Sequence, residues 1–302
     1  MTAPLVSIVT PSYNQAQFLE EAMRSVLEQS YPSIEYIVVD GGSSDGSVEI
    51  IRRYADRLAW WTSEPDAGQA AALNKGLARA TGEYLGWLNS DDRLLPGAVS
   101  SVVEALERDP DALLAYGGVE HIDERSQRIA YSPPVDTDVA TMVRTGTYMV
   151  SQQGSLFRRR AWELAGPLNE SSYYLFDAEF VLRVGLAGRI ARIDVPLAAY
   201  RLHDESKTVA RPIRRAEDYL RLYDELGARL PADLAPLLAE GRSQVSLWAA
   251  ELFYNGGDHR RARRSLLLGL RLRPRNLSRR WLVLLAKSLV PEPLVRRLRA
   301  AR

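Results

Sequence analysis

The chain is 302 residues long, room for one large α/β domain or two small ones and for a substantial buried core. Apolar residues make up 46% and charged residues 25%, a globular composition that argues against disorder, collagen and coiled coil. There is no cysteine, which excludes disulfides, thiol catalysis and Cys-ligated zinc or iron–sulfur centres, and with only three histidines a His-rich metal cage is also disfavoured.

The first half alternates short β-rich runs with helical segments, the pattern of an α/β domain with a largely parallel sheet. Residues 5–10 read as a buried strand broken by Pro11-Ser12-Tyr13-Asn14, and residues 18–28 as a helix with Leu19, Ala22, Met23, Val26 and Leu27 at helical spacing. A second strand at 34–39 runs into the loop Asp40-Gly41-Gly42-Ser43-Ser44-Asp45-Gly46 and a helix over 47–54. Residues 58–62 fit a third strand, 69–80 a helix, and 83–88 a fourth strand ending in Asn89-Ser90-Asp91-Asp92. In an open α/β sheet such loops meet at the carboxyl edge, where ligands bind. A helix over 96–107 and a strand over 113–116 follow, whereas 119–149 is polar and irregular, the pattern of a lid or insertion. Leu156-Phe157, a helix over 176–186 and short strands at 190–193 and 197–200 complete this part. Beyond Glu205 the chain turns to Arg- and Leu-rich helices without strand signal, which divides it into an α/β domain over 1–205 and a basic helical extension over 206–302.

Charge follows the same division. Residues 257–302 carry fourteen Arg and Lys against Asp258 and Glu292, a balance of +12, which leaves −11 for residues 1–256. Met1-Thr2-Ala3-Pro4 runs directly into an apolar strand, so no signal peptide is visible, and no window reaches about 18 uncharged apolar residues. The expectation is a cytoplasmic protein.

Five polar constellations carry candidate chemistry, each beside a plainer reading. Asp40 at a strand end, followed by glycines that let a flat ligand approach the backbone, suits a base or ribose; the same loop also caps the next helix. Neither a Gly-x-Gly-x-x-Gly turn nor a Walker loop is present, so phosphate charge must be met otherwise. Asn89-Ser90-Asp91-Asp92 sets two carboxylates side by side, which repel unless a divalent cation or a helix N-terminus relieves them. Glu64-Pro65-Asp66-Ala67-Gly68-Gln69 leads into a helix carrying Asn74 and Lys75, a ligand loop or a simple cap. Asp177 and Glu179 stand at an apolar helix start, where one serves as a base or both serve as cap and Arg183 partner. Tyr200-Arg201-Leu202-His203 ends a strand with a histidine that is a ligand or structural.

Together and in this order, over about residues 4–208, these segments resemble the inverting glycosyltransferases of family 2, which have the GT-A fold: a Rossmann-like, mostly parallel sheet flanked by helices. Val6-Ser7-Ile8-Val9-Thr10-Pro11-Ser12-Tyr13-Asn14 is similar to the family's opening strand and nucleotide loop. The run from Ile37 to Ser47 is the most diagnostic, and by similarity Asp40 binds the base. The stretch from Gly68 to Gly76 resembles the helix that closes over the nucleotide, and Asn89-Ser90-Asp91-Asp92 stands in the place of the Asp-x-Asp signature. The resemblance implies donor contacts at Pro11, Tyr13, Asn14, Asp40, Asp66, Gln69, Lys75, Asn89, Ser90 and Asp91, Mn2+ or Mg2+ on Asp91 and His203, and Asp177 as catalytic base. Gln152, Gln153, Asp92 and Glu179 fall on the acceptor side. Two departures stand out: Asn89 replaces the first acid of the signature, and Phe176 replaces the Glu before the base.

The implied reaction moves a sugar from a nucleoside diphosphate donor, a UDP-sugar first among them, to an acceptor hydroxyl in polysaccharide, lipid-linked oligosaccharide or glycoconjugate biosynthesis. A nucleotidyltransferase on the same sheet edge, or an inactive sugar-nucleotide-binding scaffold, are the alternatives. The basic helices over 257–302 suit either an anionic membrane surface, which would make the protein peripheral on the inner face of the cell membrane, or packing on the acidic catalytic domain. They lack an identifiable nucleic-acid-binding fold, and no nucleic-acid partner is expected.

Overall fold

Seven consecutive buried residues make β1 (Val6–Ser12) a central strand, and the computed structural model, which describes residues 3–148, 150–203 and 212–289, places it inside a sheet. It is flanked in parallel by β2 (Ile34–Asp40) and β4 (Tyr84–Trp87), with β3 (Trp60–Ser63) parallel outside β2. Helices α1 (Ala16–Leu27), α2 (Ser47–Arg53) and α3 (Gln69–Arg79) make the crossovers that parallel strands require. α1 buries Phe18, Leu19, Ala22, Met23 and Val26, the i, i+3/i+4 stripe of its sequence. α3 lies so close to β1 that a Cβ at Gly76 would fall 2.4 Å from Val9 Cγ1.

Past β4 the sheet changes sense. β8 (Leu156–Arg158) pairs antiparallel with both β4 and β6 (Ala112–Ile122); β9 (Arg189–Arg201) runs parallel to β6, and β5 (Arg93–Leu94) closes the edge antiparallel to β9. The strand order is β3-β2-β1-β4-β8-β6-β9-β5. Two reversals bring β6 and β9 back to the direction of β4, so the carboxyl ends of β1, β2, β4 and β9 share one edge. α4 (Ala98–Arg108), α6 (Arg159–Ala165) and α7 (Phe176–Ala187) complete this part.

Three details differ from the sequence reading, the first being the helix α5 (Val139–Thr145) within the stretch 119–149 read as irregular. Residues 119–132 are not irregular: β6 continues to Ile122 and forms a hairpin with β7 (Arg128–Ser132). β7 is exposed at every position, and a strand with no buried face carries no hydrophobic alternation to betray it. The two short strands expected after residue 189 are one strand, β9, paired to β6 through several register shifts.

Packing separates two units, one of Met1–Asp138, Met149–Ser171 and Phe176–Asp204, the other of Val139–Tyr148, Ser172–Leu175 and Glu205–Arg302. The second is helical: α5 (Val139–Thr145), α8 (Pro212–Leu226), α9 (Ala235–Asn255), α10 (His259–Leu272) and α11 (Arg279–Leu289). Its core sets Trp281 and Leu284 of α11 against Leu247, Ala250 and Leu266, and Phe253 against Ala216 and Ala262. Each large apolar side chain so buried contributes about 1.5–3 kcal/mol. The expected boundary at Glu205 and the basic tail over 290–302 lie outside the described residues. Among the described residues no helix is long and apolar enough to cross a membrane.

Candidate functional site

The shared carboxyl edge brings the end of β4 to the end of β9. His203 Nε2 lies 3.1 Å from Asp91 Oδ2, across 112 residues of sequence. The histidine side chain is 2% exposed and packs on the Phe18 ring with centroids 5.0 Å apart, whereas Asp91 keeps 23% of its side chain accessible. A carboxylate oxygen and an imidazole nitrogen meeting at one open point are donors that Mn2+ accepts together. Among the described residues no group of three or more His, Asp or Glu side chains that could hold a metal ion is present.

Asp92 has a different task. Its carboxylate, 1% exposed, accepts the Arg201 backbone N–H at 3.0 Å and Asn89 Nδ2 at 3.1 Å. Burial first, then the charge of Asp91, push it well above the usual carboxylate range, against hydrogen bonds from Arg201, Asn89 and Gln153. Of the two adjacent acids, Asp92 is thus the one whose charged form burial and its neighbour disfavour. Asn89, in the first position of the turn, accepts Gln69 Nε2 at 2.8 Å and donates to Asp92, tying the start of α3 to the turn. Ser90 is buried.

The largest contributor to this arrangement carried no assigned role in the sequence reading. Arg201, 1% exposed, donates from Nε to the Asp91 carbonyl at 2.9 Å and from Nη1 to the Asp123 carbonyl at 3.0 Å and Ser126 Oγ at 2.9 Å. Its Nη2 meets Glu21 Oε2 at 2.6 Å, and the guanidinium lies 4.6 Å over the Phe18 ring. Partial burial raises Glu21, but the Ser126 hydroxyl and the charges of Arg201 and Arg93 outweigh it and hold its carboxyl below the usual range. Its partners lie on α1, in the turn after β4 and in the β6–β7 hairpin, so no local run of sequence marks it.

At the β1–β2 end, Asp40 is fully buried. Oδ2 accepts Gly42 N at 3.1 Å, Ser43 N at 2.9 Å and Ser63 Oγ at 2.7 Å, and Oδ1 accepts Ser43 Oγ at 2.5 Å. Its carboxylate is therefore spent on shaping the glycine loop. Asp66 leans over that loop: its Oδ1 accepts Gly68 N at 2.7 Å, and a Cβ at Gly41 would come within 3.1 Å of Oδ2. Asn14, at φ 50, bridges the two loops through Ser43 Oγ and Ser44 N. Tyr13 stands 63% exposed beside it, while Pro11 and Ser12 are buried in β1, with Ser12 Oγ unpartnered among the described residues.

The remaining candidates fall around these two ends. Lys75 pairs with Glu64 at 2.9 Å near the surface. Gln152 is buried with Oε1 unpartnered among the described residues, and Gln153 bonds Asp92. Asp177 opens α7 and accepts its neighbour's N–H, Ala178 N, at 2.8 Å. One turn on, Phe180 packs against Trp87 at the end of β4, centroids 5.9 Å apart, which ties α7 to the strand that leads into the turn. Glu179 is buried, accepts Asn169 Nδ2 at 2.9 Å and faces Arg183 at 3.8 Å, so its partners are structural. Asn74, bonding the Leu168 backbone on both sides, likewise braces the loop before α7.

Comparison with known proteins agrees with this geometry. The family model described as glycosyl transferase family 2 matches residues 7–164. An uncharacterised glycosyltransferase of Mycobacterium tuberculosis is 31% identical over 237 residues, covering 76% of this chain and 89% of its own. A Rickettsia typhi relative is 37% identical, but the match takes in 42% of its length. S. aureus TarS 1–349, solved with UDP-GlcNAc, superposes with a TM-score of 0.64 at 16% identity, over 87% of this chain and 83% of that one. The Pyrobaculum calidifontis mannosyltransferase PcManGT, solved with GDP-Man and Mn2+, gives 0.62 at 22% identity, over 95% and 80%. The sheet and flanking helices are of the GT-A type, with helices following at the C-terminus.

Proposed function

This chain belongs to glycosyl transferase family 2, and from that premise we propose that it transfers a sugar, with inversion, from a nucleoside diphosphate donor to an acceptor hydroxyl. The observation that carries the reading is the contact between Asp91 and His203 at the shared sheet edge. These two residues would hold Mn2+ or Mg2+, which when bound supplies positive charge against the diphosphate leaving group. Solved relatives in fold hold UDP-GlcNAc in one case and GDP-Man with Mn2+ in another, and a UDP-sugar is the first donor to test.

Each side chain has a part. Tyr13 stacks on the base above a floor of loop amides that Asp40 fixes, with Pro11, Asn14 and Asp66 around it; Gln69, Asn89 and Ser90 set the turn, and Lys75 reaches the diphosphate by exchanging Glu64 for phosphate. Asp177 takes the proton from the acceptor hydroxyl. The acceptor oxygen then bonds to the anomeric carbon from the face opposite the diphosphate as the old carbon–oxygen bond breaks, so the configuration inverts. Gln152, Gln153, Asp92 and Glu179 shape the acceptor side. We assign residues 1–205 to this catalytic part and 206–302 to the basic extension, with an acceptor in polysaccharide or lipid-linked oligosaccharide synthesis at the inner membrane face.

Asp177→Asn, assayed against a panel of nucleoside diphosphate sugars, keeps donor binding and loses about 10²–10⁴-fold in transfer rate. Transfer at the wild-type rate in that variant removes Asp177 as the base.

A further inference from the structure

The helices of the second unit show a surface that its core does not explain. Over residues 259–289, spanning α10 and α11, the sequence contains no Asp or Glu. Part of the positive charge there is neutralised within the unit: Arg261 pairs with Asp258 and Glu217, Arg273 with Glu240 and Arg280 with Glu251, whereas Arg263 keeps its charge and donates to the Ser288 carbonyl. Arg260, Arg264, Arg271, Arg275, Arg279 and Lys287 make no ion pair among the described residues.

The arrangement of these cations is as informative as their number. α10 buries Ala262, Ser265, Leu266 and Gly269. Its opposite stripe, at i, i+4, i+7, i+8 and i+11, reads Arg260, Arg264, Leu267, Leu268 and Arg271. Leu267 is 56% exposed on that stripe. α11 repeats the pattern: Trp281, Leu284 and Ser288 face inward, whereas Leu282 and Val283, between Arg279 and Lys287, and Leu289 just beyond them face out at 51%, 43% and 65% exposure. A helix that only solubilises its unit puts charge outside and leucine inside. These two put both outside.

We propose that the outer faces of α10 and α11 dock on an anionic lipid surface. Aliphatic side chains between unneutralised arginines match the boundary of a bilayer, where leucine enters the acyl layer and the cation stays with the headgroup. Single-stranded nucleic acid would be met instead by exposed aromatic rings for base stacking, and the one tryptophan of this stretch, Trp281, is buried in the core. No helix among the described residues crosses a bilayer, so the association is peripheral. The docking face stands independently of sugar transfer.

The test is co-sedimentation of the full chain with vesicles of phosphatidylcholine alone and of phosphatidylcholine mixed with phosphatidylglycerol. The chain pellets with the mixed vesicles only, and less as salt is raised. Arg264→Glu with Arg271→Glu weakens partition by about tenfold or more, and Leu267→Ser with Leu282→Ser by severalfold, with circular dichroism unchanged because all four sites are exposed. Equal pelleting with neutral vesicles, or variants that pellet like the parent, overturns the proposal. So does a leucine-dependent dimer in light scattering, or tight binding to a nucleic-acid duplex with vesicles ignored. A donor-induced thermal shift measured on the same samples keeps the two claims separate: if vesicle binding fails while that shift persists, the docking face alone falls.

Discussion

Arg201 and Arg264 are the same residue type used in opposite ways. Arg201 is enclosed, stacked on Phe18, and spends its fork on the carbonyls of Asp91 and Asp123, the Ser126 hydroxyl and the Glu21 carboxylate. Arg264 is exposed on α10 without an ion pair among the described residues. The first is a geometric device: a planar, permanently charged fork can fix several acceptors at once, and here it fixes the turn that carries Asp91 and the strand that leads to His203. The second is a charge offered outward, whose worth depends on what comes to meet it. The second role is suggested by the basic, leucine-rich run in which Arg264 stands, whereas the first depends on partners far from Arg201 in sequence.

The contrast is broken or sharpened by three measurements. The largest effect is expected from Arg201→Met, which leaves Glu21 and several carbonyls without their donor and lowers unfolding stability in urea by about 3 kcal/mol. Next comes pH. Glu21 and Glu35 are both held below their ordinary value of 4.5 in the fold, Glu35 against partial burial by hydrogen bonds from Ser7 and Thr81. A carboxylate depressed in the folded state contributes stability that is fully present above pH 4.5 and is lost as pH falls from there through the folded value. The urea midpoint therefore declines below that pH, and declines less steeply in Arg201→Met, where part of what depresses Glu21 is gone. The smallest effect belongs to Arg264→Met, within about 0.5 kcal/mol of the parent. A large loss there would mean that the outer face of α10 is structural.

Much of the fold was legible because its first strands are short runs rich in Val and Ile bounded by turn residues, as in β1 and β2, and α1 carries a clean apolar stripe. β7 was not, because an exposed strand has no buried face, and the joined strand β9 was not, because its register shifts interrupt the alternation that marks a strand. At the site, the resemblance to a family named Asp91 and His203, and their contact follows from strand directions that sequence does not state. The duties of Asp40 and Asp92 were harder to see. Each lies at a strand end, but one carboxylate is consumed by its own glycine loop and the other by a distant backbone N–H, and only partners reveal that. Arg201 went unassigned for the converse reason: its partners come from α1, the β4 turn and the β6–β7 hairpin, which meet only in the folded chain.

The central claim is that Asp91 and His203 present one cation site to a nucleoside diphosphate. Thermal melting of the chain with UDP or GDP, with and without Mn2+, tests it most directly. The proposal predicts a nucleotide-induced rise in melting temperature that Mn2+ enlarges, and the loss of that Mn2+ increment in both Asp91→Asn and His203→Ala. A nucleotide shift indifferent to Mn2+, or an increment retained in both variants, would contradict it.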